Sequence, residues 1–180
     1  MKGVIFTEFI EMVEDKFSFD IKDEMLKKAK VDGIYTQAGN YPTNELLSMI
    51  KALAQLSNIS TESLIYTYGM HLFTVLIRIY PKSIESYKSS FEFISNVENV
   101  IHPEVKKLYP DSQLPTFEII SIKNNEMKII YKSTKPLMEL AKGLMMGCAK
   151  YYNENLDISY KKMKTNNDKF EALFTLVSRG

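Results

Sequence analysis

Cysteine is nearly absent from this sequence, since Cys148 is the only one among 180 residues. A single cysteine excludes an internal disulfide and any zinc or iron–sulfur cage built from the cysteines of one chain. It also fits a reducing compartment, so we expect a soluble, cytoplasmic protein. No apolar run approaches the roughly 18 residues that indicate a membrane span, and no span is therefore predicted.

Excess charge of either sign is also lacking. The chain carries 23 Lys and Arg against 22 Asp and Glu, a formal net charge of +1. This balance creates no field that would attract nucleic acid or an anionic membrane, and neither is predicted as a partner. The remaining composition, with 45% hydrophobic and 25% charged residues, is ordinary for a globular domain.

Apolar residues at helical spacing predict a mostly helical N-terminal half. The expected helices cover residues 1–17, residues 21–29, about 14 residues between a cap at Thr43 and a stop at Asn58, and residues 61–79. Gly69 lies in the middle of the last of these helices, where glycine costs about 1 kcal/mol relative to alanine. Its presence indicates that another part of the molecule packs closely against the backbone there.

A further helix is predicted over residues 89–108, and it carries His102. Pro103 follows this histidine directly and lacks the N–H group of a helical hydrogen bond. We therefore expect a kink or a local break in the helix at this point.

Beyond Pro110 the apolar residues alternate, which is typical of strands. A first strand pair is expected at 116–122 and 126–135, turning at Asn124-Asn125, then a helix at 137–152. A second pair is expected at 155–163 and 169–178, turning at residues 165–168. The predicted fold class is α+β, with a helical N-terminal subdomain packed on a C-terminal antiparallel sheet with helices.

The chemistry of the chain concentrates around His102 and the end of the second strand. Imidazole is the usual protein ligand of an open ferrous haem. Tyr131, Ser133 and Lys135 alternate along one strand and would face the same way, as a phenol, a hydroxyl and an ammonium suited to carboxylates. Taken singly, these features also fit an ordinary histidine and a half-exposed strand face.

In their order along the chain, these residues resemble the haem–nitric oxide/oxygen-binding (H-NOX) family. That family includes the sensor domain of soluble guanylate cyclase and stand-alone bacterial gas sensors. The resemblance covers essentially the whole chain. It rests on the initial MKG, Tyr68-Gly69, His102, the connector LYPDSQLP, Tyr131-x-Ser133 and Gly143-Leu144…Gly147.

The resemblance implies one haem domain, residues 1–180, with haem b (iron protoporphyrin IX) between a distal subdomain, 1–65, and a proximal subdomain, 66–180. It implies that His102 is the axial iron ligand and that Pro115 presses on the porphyrin. Tyr131 and Ser133 would hold the haem propionates. Lys135 stands where the family has arginine, so the charge is kept but the bidentate fork is lost, and we expect a looser clamp.

The resemblance also indicates which gas is bound. Oxygen-binding members place a tyrosine over the gas, and the matching position here is Leu140. A hydrogen bond of that kind is worth about 1.5–3 kcal/mol, so O₂ should bind poorly while NO and CO still bind. His71 is a minor alternative donor. The other positions that resemble the family's distal pocket are Ile5, Phe9, Leu72, Leu76 and Leu144.

By resemblance, NO would weaken the bond between His102 and the iron, the helix would shift, and the two subdomains would move. A partner in trans, a histidine kinase or a cyclic-di-GMP enzyme, would respond, and the domain itself would not be an enzyme. Two alternatives stay open. One is a haem-dependent enzyme such as an NO dioxygenase or a peroxidase, which would need distal acid–base groups. The other is a haem-free module that binds a small ligand or a protein.

Overall fold

The N-terminal half of the chain is helical in the computed structural model, which describes residues 1–164 and 169–179. Helix α4 begins where expected, because Ser60 accepts a hydrogen bond from the Ser63 N–H. Asn58 ends the preceding helix in a left-handed conformation, as expected from the sequence. The four helices are α1 (Val4–Lys16), α2 (Phe19–Ala29), α3 (Thr43–Ser57) and α4 (Thr61–Ile79).

The segment that carries the histidine is a helix interrupted by a wider turn. A short helix α5 (Lys82–Glu85) precedes it, and α6 (Ser90–Asn96) is followed by a π-helical turn (Val97–Ile101) and by α7 (His102–Leu108). The N–H of His102 bonds to the carbonyl of Val97, five residues back. The expected local break beside Pro103 is confirmed, because proline cannot donate the next bond of a regular ladder.

The C-terminal half is a four-stranded antiparallel sheet with one long helix packed on it. The strands lie in the order β1 (Thr116–Lys123), β2 (Glu126–Ser133), β4 (Phe170–Ser178) and β3 (Leu156–Lys162). Helix α8 (Met138–Tyr151) packs against the face formed by alternate buried residues of β2 and β4. The α+β class is therefore confirmed.

Two hydrophobic cores share helix α4. The N-terminal core joins α1 to α4 and includes Phe6, Phe9 and Tyr68, all fully buried. The C-terminal core lies between the sheet and α8, and it includes Phe73 from the same helix α4. Helix α4 thus connects the two halves through consecutive turns.

Helices α4 and α8 cross with their backbones in contact. A Cβ atom on Gly69 would lie 2.5 Å from the Leu140 carbonyl oxygen and 2.9 Å from the Gly143 Cα. This contact explains the glycine in the middle of α4, as expected from the sequence. It also fixes the positions of Leu72 and Leu140 relative to each other across the crossing.

Some expected boundaries were wrong. Thr43 is the first residue of α3 rather than its cap; Pro42 occupies the cap position and makes no side-chain bond there. Strand β2 ends at Ser133 instead of residue 135, because its partner β4 begins opposite, at Phe170, and the Lys135 N–H bonds to Ser133 Oγ at 3.1 Å. The expected turn at 165–168 lies outside the described residues.

Within the described part of the chain, no helix is both long enough and apolar enough to cross a membrane.

Candidate functional site

A cavity of about 510 Å³ lies between the helical half and the sheet. Residues from α1, α4, the segment 97–102, the connector 109–115, β2 and α8 line it. This volume falls in the range of about 300–1,000 Å³ that is typical of small-molecule and cofactor sites. The site therefore has the size, and the position between the two halves of the chain, that a sizeable ligand requires.

One side of the cavity is apolar. We call it the apolar wall and define it as Ile5, Leu72, Leu76, Leu140 and Leu144. Leu72 and Leu76 are one helical turn apart on α4, and Leu140 and Leu144 are one turn apart on α8, so each pair faces the same way. None of these five side chains can donate a hydrogen bond.

Phe9 and His71 lie outside the cavity lining. Phe9 is fully buried in the N-terminal core, with its ring centroid 5.1 Å from that of Tyr68. His71 faces Glu8, with Nε2 3.9 Å from the carboxylate, on the side of α4 that contacts α1. Of the residues expected in the distal pocket, the structure therefore brings together all except Phe9.

A second set of lining residues carries polar groups, and we call it the polar wall: His102, Tyr131, Ser133 and Lys135. Its residues come from the end of the π-helical turn, from the end of β2 and from the bend after it. The sequence predicted that the last three share one face, and all three do line the cavity. Lys135 does so from a bend rather than from a strand.

His102 is largely buried and has one nitrogen facing protein. Its Nδ1 atom is shielded from solvent and lies 3.3 Å from Glu98 Oε2, at an angle too poor for a hydrogen bond. Burial lowers the pKa of the imidazole, and the Glu98 carboxylate acts in the opposite direction. A neutral imidazole is the form that binds iron, and Nε2 is the nitrogen left to face the cavity.

Tyr131 is fixed between rings of neighbouring strands. Its ring centroid lies 5.5 Å from that of Phe117 and 5.8 Å from that of Phe174. Burial raises the pKa of its phenol, so the hydroxyl stays protonated and can donate a hydrogen bond. Burial also lowers the pKa of Lys135, whose ammonium lies 3.5 Å from the Gln113 carbonyl oxygen.

The connector between α7 and β1 closes one side of the cavity. Pro115 lines it, as do Tyr109 and Leu114. Several lining residues were not predicted from the sequence, among them Lys2 and Phe117. Glu98 was not predicted either, although a carboxylate four residues before a helical histidine is a signal that can be read from spacing.

The arrangement fits a flat, largely apolar cofactor that carries carboxylates. A single imidazole can supply one axial ligand to a haem iron, and apolar side chains can cover the macrocycle. A protonated phenol, a hydroxyl and an ammonium, grouped at Tyr131, Ser133 and Lys135, can hold carboxylates at its edge. The cavity and its polar groups are therefore suited to a haem.

Comparison with known proteins gives the family. A family model described as haem-NO-binding matches residues 2–160. The chain therefore belongs to the haem-NO-binding, or H-NOX, family, whose members bind haem. No curated protein matches the chain.

Solved H-NOX structures superimpose on the whole chain. The unliganded Fe(II) H-NOX protein from K. algicida is 34% identical with a TM-score of 0.91, covering 100% of this chain and 97% of that one. The Fe(II)NO form from S. oneidensis is 27% identical with a TM-score of 0.89, covering 100% of both chains. The IWP-051-bound Fe(II)CO form from Shewanella woodyi is 33% identical with a TM-score of 0.82, covering 98% and 94%.

Proposed function

We propose that this protein senses NO at a ferrous haem, also binds CO, and discriminates against O₂. The observation that carries the proposal is the cavity with two unlike walls, one holding His102 and the other offering no hydrogen-bond donor. The bound haem would supply one coordination position to His102 and a second one to a diatomic gas.

His102 is the proposed axial ligand. Its position in the cavity lining, its lowered pKa and its shielded Nδ1 support coordination through Nε2. Tyr131, Ser133 and Lys135 are proposed to hold the propionates, and Pro115 to press on the macrocycle. Tyr131 would donate its phenolic proton, and Lys135 would supply the positive charge.

The apolar wall is the basis of the proposed gas selectivity. Bound O₂ is polar and is stabilised by a nearby donor, which would be worth about 1.5–3 kcal/mol. Leu140 offers none, and His71 is turned towards Glu8 on the far side of α4. NO and CO need no donor and would still bind.

The proposed signal begins with release of His102. The segment from α6 to α7 would then be free to shift, and its π-helical turn is the kind of irregular backbone that frequently occurs at functional sites. We propose that residues 1–65 and residues 66–180 move relative to each other as distal and proximal subdomains. Helix α4 contributes to both cores and would transmit the movement.

We propose that the change is read in trans by a cytoplasmic signalling partner, a histidine kinase or a cyclic-di-GMP enzyme. The domain itself would have no catalytic activity, because peroxidase or dioxygenase chemistry needs acid–base groups beside the bound gas. The five side chains of the apolar wall provide no such group.

An absorption spectrum of the haem-loaded protein tests the proposal. We expect a haem Soret band that is unchanged when air replaces argon over the ferrous protein and that shifts with NO. His102→Gly should lose the spectrum of a histidine-bound haem and regain it with added imidazole, whereas His71→Gly should match the unchanged protein. A stable oxygenated spectrum would contradict the selectivity, and loss of the histidine-bound spectrum in His71→Gly would contradict the ligand assignment.

A further inference from the structure

We propose that Glu98 is a positioning residue for the iron ligand: its carboxylate accepts the Nδ1 proton of His102 and thereby strengthens the bond between His102 and iron. This inference rests on the proposed function, since it assumes that His102 binds the haem through Nε2. Nothing in the sequence analysis assigned a role to Glu98.

The contact between the two side chains follows from the helix. Glu98 precedes His102 by four residues, and the π-helical turn lies between Asn96 and His102. Glu98 Oε2 and His102 Nδ1 are 3.3 Å apart. His102 Nδ1 is shielded from solvent and has no hydrogen-bond partner among the residues that the structure describes. Buried polar atoms are normally hydrogen-bonded, and the Glu98 carboxylate is an acceptor within reach.

The carboxylate is itself held in place by the sheet. The backbone N–H of Phe117, near the start of β1, donates to the same Oε2 atom at 3.0 Å. The Phe117 ring also lies 5.7 Å from the His102 ring. The bond from the Phe117 N–H therefore restricts the Glu98 side chain and keeps its carboxylate beside His102 Nδ1.

The chemistry gives this contact a consequence. An imidazole bound to a metal through Nε2 keeps its proton on Nδ1, and a carboxylate that accepts this proton makes the ring a stronger donor to the metal. A stronger donor favours ferric over ferrous iron and holds the axial bond more tightly. Glu98 would thus set how easily His102 is released.

The Glu98 carboxylate also connects His102 to the strand that carries Tyr131 and Ser133. Phe117 pairs with Tyr131 across β1 and β2, and their ring centroids are 5.5 Å apart. A path of direct contacts therefore runs from His102 through Glu98 and Phe117 to Tyr131. Movement of α7, which carries His102, would therefore displace Tyr131 in the proposed propionate clamp.

Glu98→Gln in the ferrous haem-loaded protein is the test. The amide oxygen can still accept from the Phe117 N–H, so the tie to the sheet is kept while the charge beside Nδ1 is removed. The readouts are the iron–histidine stretching frequency by resonance Raman spectroscopy and the ferric/ferrous potential. Glu104→Gln is the matched control, because Glu104 lies two residues after His102 and pairs with Lys107 at the surface.

We expect Glu98→Gln to lower the stretching frequency and to shift the ferric-to-ferrous ratio about tenfold towards ferrous, a rise of about 59 mV for one electron. Glu104→Gln should change neither. If Glu98→Gln matches Glu104→Gln in both readouts, the proposal is wrong. If Glu98→Gln does not retain haem, Glu98→Asp is measured instead: a lowered frequency supports the proposal and an unchanged one overturns it.

His102→Gly separates this proposal from the proposed function. If His102→Gly loses the iron–histidine band while Glu98→Gln leaves it unchanged, only the role of Glu98 fails. If His102→Gly keeps the band, the assignment of the ligand fails and the role of Glu98 fails with it.

Discussion

The two walls of the cavity are built from different kinds of backbone. The apolar wall comes from regular helices, in which Leu72 and Leu140 are carried by the backbone contact between α4 and α8. The polar wall comes from irregular places: a π-helical turn, the end of β2 and a bend. A crossing of regular helices fixes side-chain positions closely, whereas a π-helical turn departs from the regular hydrogen-bond ladder and frequently lies at a functional site.

This difference matches the tasks that we propose for the walls. Selection between gases depends on a fixed, donor-free surface, which is what close-packed helices provide. Signalling depends on a ligand that can leave its metal, which requires a backbone able to move. Substitutions in one wall at a time, together with one outside both walls, test this difference.

Gly143→Ala would disturb the apolar wall most. Its Cβ would meet the Tyr66 carbonyl oxygen and lie 2.9 Å from the Gly69 Cα, so α4 and α8 must separate. We expect a loss of about 1–3 kcal/mol, measured by urea unfolding. Lys150→Ala, on the exposed last turn of α8, should stay within about 0.5 kcal/mol. Equal stability of the two variants would contradict the close crossing.

Leu140→Tyr would give the apolar wall a donor. If the hydroxyl reaches bound O₂, we expect the O₂ affinity to rise by about 10- to 150-fold, since such a bond is worth about 1.5–3 kcal/mol. Gas titration followed by absorbance measures the change. Leu140→Phe is the matched control, with the same ring and no hydroxyl, and should bind O₂ as poorly as the unchanged protein. A gain in both variants would assign the effect to shape rather than to the hydrogen bond.

Lys135→Arg should strengthen the binding of the haem propionates at the polar wall. Arginine offers a planar fork to a carboxylate where lysine offers a point charge, so haem should leave more slowly, by about 2- to 12-fold for about 0.5–1.5 kcal/mol. Transfer of haem to an apo-globin acceptor gives the rate. Lys132→Arg should leave the rate unchanged, because Lys132 pairs with Glu118 and does not line the cavity. A slower rate in Lys132→Arg as well would argue against a specific clamp at Lys135.

Glu8→Gln should have the smallest effect, because Glu8 lies outside both walls. Burial raises the pKa of Glu8, Glu11 adds to the rise, and Arg78 opposes it. The folded state thus prefers the protonated acid, so this contribution to stability is complete below about pH 4.3 and is lost as pH rises through the folded-state pKa. We expect Glu8→Gln to raise the Tm slightly at pH 8 and not at pH 4.

Among the described residues, His71 and the Tyr68 hydroxyl, both from α4, also lie beside Glu8. Glu11→Gln, an exposed change on the same face of α1, is the control and should show a smaller gain at pH 8. A Tm difference for Glu8→Gln that is the same at both pH values would show that its ionisation is not the cause.

Local physics made much of the fold predictable. Apolar spacing identified helix α4 to the residue, and Asn124-Asn125 correctly marked the turn between β1 and β2. The end of β2 was predicted two residues too late because a strand ends where its hydrogen-bonded partner ends. Here the partner is β4, whose first residue, Phe170, pairs with Ser133, and this pairing between distant residues is not visible in the local sequence. Thr43 was mistaken for a cap because Pro42 can begin a helix without a side-chain bond.

Most of the candidate site was predictable through the resemblance to the family, which depends on motifs in their order along the chain. Leu72, Leu76, Leu140 and Leu144 were expected there on that basis, and all four line the cavity. Phe9 was expected there and is buried in the N-terminal core instead, since the sequence does not say how α1 is rotated against α4. Roles at the iron stay predictions until the spectra are measured.

The sequence by itself determined the helical spacing, the break at Pro103, the alternation of β2 and the family to which the chain belongs, because each depends on local order along the chain. Only the tertiary structure decided that Glu98 reaches both His102 and the Phe117 N–H, and that both walls line one cavity of about 510 Å³. Those features depend on how distant segments pack, and packing angles between helices and a sheet are not encoded in any single stretch of residues.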